Sequence, residues 1–265
     1  MAAPWSLRRI LVVVDDSPEC AVALRSVARM AERSRATVEA LFIEDTAVLH
    51  LASLTVVRHV HRHGGTAAPL DVTTIEAMYR SQRLGAQRAV SALTDASGAP
   101  CALRVVRGSV SDALLYAAGE ADIVVLTLPS FGLERLAGVA ERLGGTGLPA
   151  LLLLRSTAEP RLVLTIADDA SDTGRHLIAV ATSISNLLGL PLHPVSETPT
   201  EVPERDRRLD RTAPLPPLDS LEQLKARGEL SASTIVACRH DRLSTHLGPY
   251  TAALDARRCP LLIAF

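Results

Sequence analysis

The run Arg8-Arg9-Ile10-Leu11-Val12-Val13-Val14-Asp15-Asp16-Ser17-Pro18 constrains the fold more than any other stretch of the chain. Five apolar residues in succession, four of them β-branched, do not alternate as a half-exposed strand would. They predict a strand buried on both faces, which belongs to a parallel sheet covered by helices. Ser17 is a good N-cap and Pro18 suits the first helical position, so a helix should start at once. Asp15 and Asp16 then fall at the carboxyl end of the first strand, the edge where open α/β sheets bind ligands. Carboxylates there have a second role open to them. They cap the free N–H groups of a helix and are stabilised by its dipole, worth about 0.3–1 kcal/mol each.

The rest of the first half continues in the same alternation. A helix runs from Pro18 to about Ser34, with Ala21, Leu24, Val27, Ala28 and Ala31 on one face. A strand spans Thr37–Ile43 and ends in Glu44-Asp45, followed by a short helix over Thr46–Val57. Thr73 or Thr74 opens a long helix whose apolar face is Ile75, Met78, Tyr79, Gln82, Ala86, Ala89, Val90 and Leu93, ending near Gly98. Then come a strand at Ala102–Val106, a tight turn through Gly108, a helix to about Ala118, and a strand at Ile123–Leu126. Thr127–Gly147 reads as a loop with a short helix, and Pro149–Leu154 as a fifth buried strand.

After Pro160 the plan starts again. Arg161-Leu-Val-Leu-Thr-Ile-Ala-Asp168-Asp169 aligns with the opening stretch without a gap, placing Asp15 on Asp168 and Asp16 on Asp169. Leu24, Val27, Ala28 and Ala31 fall on Leu177, Val180, Ala181 and Ile184, so the buried helix face is carried too. Leu148-Pro149 likewise matches Cys259-Pro260 at the head of the last strand. The expected organisation is two tandem open, mainly parallel five-stranded sheets with helices on both faces, in domains 1–157 and 158–265. The second copy is shorter. Its charged, proline-rich stretch Ser196–Pro217 reads as an exposed loop or disordered insert, and Leu218–Leu230 as one amphipathic helix.

Composition narrows the function. A net charge of −1 gives no pull toward nucleic acid or an anionic membrane, and an aromatic share of 3% leaves little for base stacking. No apolar run approaches the roughly 18 residues of a membrane span, and the apolar run behind Arg8-Arg9 is too short for a secretory signal. Cys20, Cys101, Cys238 and Cys259 are scattered, as expected of free thiols in a reducing cytoplasm. His59, His61 and His63 would share one face if extended, a geometry open to a metal, but no Cys, Asp or Glu stands among them to complete a shell. No nucleophile-and-base set presents itself, so no catalytic residue is assigned and an enzyme is not expected.

The opening stretch resembles two families. In response-regulator receivers paired acids hold magnesium beside a phospho-accepting aspartate, but the position matching that acceptor is Thr127, which cannot form an acylphosphate. The chain is more similar to the universal stress protein family, an adenine nucleotide alpha hydrolase-like fold in which tandem copies are common. Ile10–Ser17, Ala40–Asp45, Val106–Asp112, Ala121–Leu126 and Leu148–Leu154 carry that resemblance, strongly over Arg8–Arg155 and more faintly over Pro160–Phe265.

The resemblance implies a non-catalytic stress-response protein that dimerises and contacts protein partners, as a homodimer or an internal pseudo-dimer. It also implies a nucleotide site at Asp15, Asp16, Ile43, Gly108, Leu126, Thr127 and Ser130. The family's phosphate loop opens with two glycines, because glycine lets consecutive N–H groups face an anion. Here Thr127 and Ser130 occupy those places, and Ala140-Glu141 replaces the later Gly-Ser/Thr pair. No cofactor is therefore the expectation, with ATP or AMP bound weakly if at all. An adenine-nucleotide sensor using Asp15 and Gly108 is the alternative, and a metal-responsive histidine loop a third reading. The final strands at Pro149–Leu154 and Pro260–Phe265 should pack against one another, since apolar edge strands invite pairing.

Overall fold

The computed structural model describes residues 5–15, 17–54, 58–59, 68–127, 140–166, 172–196, 219–220, 224, 226–228, 230–240 and 258–265. The opening apolar run forms β1 (Arg9–Val13), and Ser17 caps α1 (Pro18–Ser34) by accepting the Cys20 N–H. There follow β2 (Thr37–Asp45), α2 (Thr46–Ala52), the two-residue strands β3 (Arg58–His59) and β4 (Ala68–Pro69), and α3 (Val72–Ser97). The first half closes with β5 (Cys101–Gly108), α4 (Val110–Ala118), β6 (Ile123–Thr127) and β7 (Ala150–Leu154). The second holds β8 (Leu162–Ile166), α5 (Asp172–Leu188), β9 (Leu192–Ser196), β10 (Asp219–Ser220), β11 (Thr234–Arg239) and β12 (Leu261–Ala264).

The architecture is mixed α/β with a mostly parallel sheet, as the sequence implies. The two sets of five strands join edge to edge in one ten-stranded sheet, ordered β10-β9-β8-β11-β12-β7-β6-β1-β2-β5. Neighbours run parallel except β7 and β12, which are antiparallel. Outward from that seam each half repeats one order: last strand, fourth, first, second, third.

The seam has a local twofold register. Pro149 matches Pro260 in the sequence, so Ala150 corresponds to Leu261 and Leu153 to Ala264. Leu153 pairs with Leu261, and Ala150 with Ala264, so each pair is the image of the other. The two final strands thus meet as expected.

Both faces of β1 are buried because alternate residues serve different layers. Ile10 and Val12 enter the core under α1, α3 and α5, while Leu11 enters the core that includes Leu114 and Ala117 of α4. Among the described residues no helix is long and apolar enough to cross a membrane.

Several local expectations shift. α3 is capped by Asp71, not by Thr73 or Thr74; Thr74 donates both its N–H (2.8 Å) and its hydroxyl (2.7 Å) to that carboxylate. Met78 lies on the exposed side of α3. The buried stripe of α1 turns toward Cys20, Val22, Ala23, Val27, Met30 and Ala31, leaving Ala21 exposed, because α1 packs on α3 and α5 as well as on the sheet. Asp219–Ser220 pairs with β9 as a strand, so the helix expected from Leu218 does not begin there. Ser196–Pro217 falls almost wholly outside the described residues.

Candidate functional site

The parallel strands of the first half bring Asp15, Ile43, Gly108, Leu126 and Thr127 to one carboxyl edge. β1 carries its ladder one residue past the strand, where the Val14 N–H donates to the Leu41 carbonyl at 2.9 Å, and Asp15 follows at the rim. Its Oδ1 accepts from the Ser17 N–H at 2.9 Å and from the Ser17 hydroxyl at 2.5 Å. Its Oδ2 accepts from the Thr127 hydroxyl at 3.5 Å, a weak contact. Ser17 Oγ in turn accepts from the Cys20 N–H at 3.2 Å. Ser17 therefore spends its proton on Asp15 and a lone pair on the helix, which makes it a cap and not an activated nucleophile. Asp16 and Ser130 lie outside the described residues, as do Asp168 and Asp169.

Ile43 is half-buried and leads into two acids with separate roles. Asp45 caps α2 by accepting the Ala47 N–H at 2.8 Å, and its carbonyl accepts from the Tyr79 hydroxyl at 3.0 Å. Burial, with the Asp45 carboxylate beside it, pushes the Tyr79 phenol above its ordinary range. Glu44 is only 4% exposed. Arg107 reaches it through Nε at 2.9 Å and Nη2 at 2.8 Å, and Arg83 lies 3.6 Å away. Arg107 also stands 3.5 Å from Glu76, and the Glu44 carboxylate raises its pKa further.

Gly108 ends β5 opposite Asp45 and has no positive φ; a Cβ built on it meets nothing within 4 Å. It is the last strand residue, where the sequence suggested a tight turn. The turn is left to Ser109, whose Oγ accepts the Asp112 N–H at 3.3 Å. Leu126 and Thr127 are both buried, Leu126 within the core on the α4 face.

His59 is in β3, paired through its backbone with Ala68, while His61 and His63 lie outside the described residues. Among the described residues no group of three His, Cys, Asp or Glu side chains could hold a metal. Cys101 is half-buried, and burial pushes its thiol up to about 11. Sequence reasoning placed Asp15 at the rim but missed the Glu44–Arg107–Arg83–Glu76 network. Its one sequence signal is two strand ends of opposite charge, Glu44-Asp45 and Arg107.

The first half is thus a doubly wound α/β half-sheet with a polar carboxyl rim, and the second half is laid against its last strand. Residues 6–146 match the model of the universal stress protein family, more than half the chain, and the chain belongs to that family. A universal stress protein from Archaeoglobus fulgidus superposes with a TM-score of 0.64 at 11% identity, covering 98% of this chain and 97% of that one. A functionally unknown protein from Pseudomonas aeruginosa gives 0.55 at 14% identity, covering 100% and 94%. At these identities the two structures establish the fold alone. A search of curated proteins found no significant match.

Proposed function

We propose that this stress protein is non-catalytic and cytoplasmic. In this reading it consists of tandem domains 1–157 and 158–265 held as an internal pseudo-dimer, and acts by contacting protein partners. One observation carries the reading: the β7–β12 register maps onto itself when the halves are exchanged, as in a twofold dimer interface. A contact between helices agrees. The ungapped match that sets Asp15 on Asp168 sets Arg33 on Asn186, and the Arg33 guanidinium donates to the Asn186 carbonyl at 2.8 Å. A residue that meets its own counterpart lies close to a local twofold axis.

Adenine nucleotide then binds weakly or not at all. Thr127 stands where the family's loop has glycine, and its hydroxyl already faces Asp15. Adenosine-type binding at Asp15 and Gly108 is the second reading. It is favoured by Gly108 itself, which the folded chain does not require to be glycine. Titration calorimetry of the full chain with magnesium-ATP and AMP separates the two. The first reading expects no heat of binding at micromolar protein. Sub-micromolar affinity, lost in Asp15→Ala, would replace it with the second.

A further inference from the structure

The turns that lead into the two seam strands correspond. Gly147 precedes Leu148-Pro149, Arg258 precedes Cys259-Pro260, and both lie in the left-handed region, at φ +78° and +50°. Glycine enters that region freely, whereas the Cβ of any other residue crowds the following carbonyl oxygen. Arg258 is therefore strained where its counterpart is not. Strain of this kind persists only where neighbouring contacts hold the residue in place.

Arg258 makes its contact across the seam. Its Nη1 lies 3.7 Å from Oε1 of Glu19, in the first turn of α1. The Glu19 side chain is 8% exposed, and among the described residues Arg258 is its one ionic partner. Arg25 and Arg29, further along α1, go to Glu159 instead. The helix dipole favours a carboxylate at that end, but a buried one also needs a countercharge. The twofold breaks here. Exchanging the halves carries Glu19 onto Asp172, in the first turn of α5, and Arg258 onto Gly147, which has no side chain to offer. Asp172 is 97% exposed and meets Arg175 of its own helix. The acid is covered where the turn carries arginine and open where it carries glycine.

We propose that Arg258 is a clasp by which the second half holds the amino end of α1 closed, tying the Asp15 rim to the seam strand β12. Both ends of the link are short. Asp15 and Ser17 stand just ahead of Glu19, joined by the Ser17 hydroxyl, and β12 begins at Leu261, three residues beyond Arg258. Loosening of the rim then reaches the β7–β12 pairing through one ion pair, and loosening of that pairing reaches the rim by the same route, because such coupling is reciprocal. The opposite half lacks the device, since Gly147 cannot make it. The proposal uses the twofold of the internal pseudo-dimer and is independent of nucleotide, so the calorimetry above and the test below fail separately.

Amide hydrogen exchange of the full chain, read by mass spectrometry, tests the link in both directions. Arg258→Gly removes the guanidinium and relieves the backbone, and the amides of Cys20–Ala23 should exchange about fivefold faster. Glu19→Gln keeps the shape of the side chain and removes its charge. The amides of Leu261–Ala264, in the other half, should then speed up by about the same factor. Salt reads the contact without any substitution. Raising sodium chloride to about 1 M should loosen both segments in the parent and leave Arg258→Gly indifferent. Parent-like protection of Leu261–Ala264 in Glu19→Gln, or of Cys20–Ala23 in Arg258→Gly, would overturn the proposal. So would a parent chain whose two segments ignore salt, or an equal salt response in parent and Arg258→Gly.

Discussion

Thr165 in β8 buries its hydroxyl at 2% exposure, and Oγ1 has no hydrogen-bond partner among the described residues. The same ungapped match that aligns the two halves places Val12 at the equivalent position of β1, fully buried and apolar. A hydroxyl taken from water without a partner costs about 1–3 kcal/mol, and valine has nearly the same shape. Thr165→Val should therefore stabilise the fold by about 1 kcal/mol, raising the melting temperature by about 2–4 °C in a chain of this size. Calorimetry checks it, and an unchanged or lower transition would mean that the hydroxyl is satisfied in solution. The contrast with Asp15 is instructive. Both are polar groups on first strands, but Asp15 has left the ladder and reaches three donors at the rim, while Thr165 is still inside it.

Helix α1 makes several of the contacts between the halves away from the seam. Glu19 lies 3.7 Å from Arg258, Arg25 and Arg29 reach Glu159 at 2.7 and 3.4 Å, and Arg33 meets the end of α5. The last contact closes a helix terminus. Arg33 Nη1 donates to the Leu187 carbonyl at 3.2 Å and to the Asn186 carbonyl at 2.8 Å, which also accepts the Gly189 N–H at 3.2 Å, at the carboxyl end of α5. Gly189 then turns the chain at φ +69°, where a Cβ would stand 3.0 Å from the same guanidinium. Arg33→Ala should destabilise by about 1 kcal/mol, and Arg33→Lys should recover part of it because a cation still faces the helix end. Urea titration reads both, and an Arg33→Ala variant as stable as the parent would show that water caps α5 equally well. Contacts of this kind were not legible in the sequence. Long apolar runs announce buried strands, so β1, β6, β7, β8, β11 and β12 could be read with their order. Thr74 and Asp71 compete locally for one cap, and only geometry decides between them. Asp15 was legible because it directly follows an apolar run. Glu44 and Arg107 pair only through the β2–β5 register, which sets residues far apart in the chain side by side.

At the scale of the whole molecule, one antiparallel strand pair joins the two halves of the sheet. β7 and β12 lie in the middle of a ten-stranded sheet, and Ala150, Leu151, Leu152, Leu153, Leu261, Leu262 and Ile263 are all 0% exposed. A chain that buries this much aliphatic surface at its seam gains roughly 25 cal/mol per Å² of it. β12 also carries the last connection of the second half, since its other neighbour is β11. Phe265 extends the pairing by donating its N–H to the Pro149 carbonyl at 3.1 Å, and its ring packs against Gly144 and lies 5.2 Å from that of His240. Deleting Leu261–Phe265 would thus open two apolar edges at once, on β7 and on β11. Unpaired strands of that composition seek another chain. Sedimentation velocity should find the truncated protein as a dimer or larger species, and thermal unfolding should show an earlier and broader transition as the halves lose their common sheet. A truncated chain that stays monomeric with the parent's melting temperature would mean that the seam contributes nothing to stability or solubility, and the internally paired architecture would have to be abandoned.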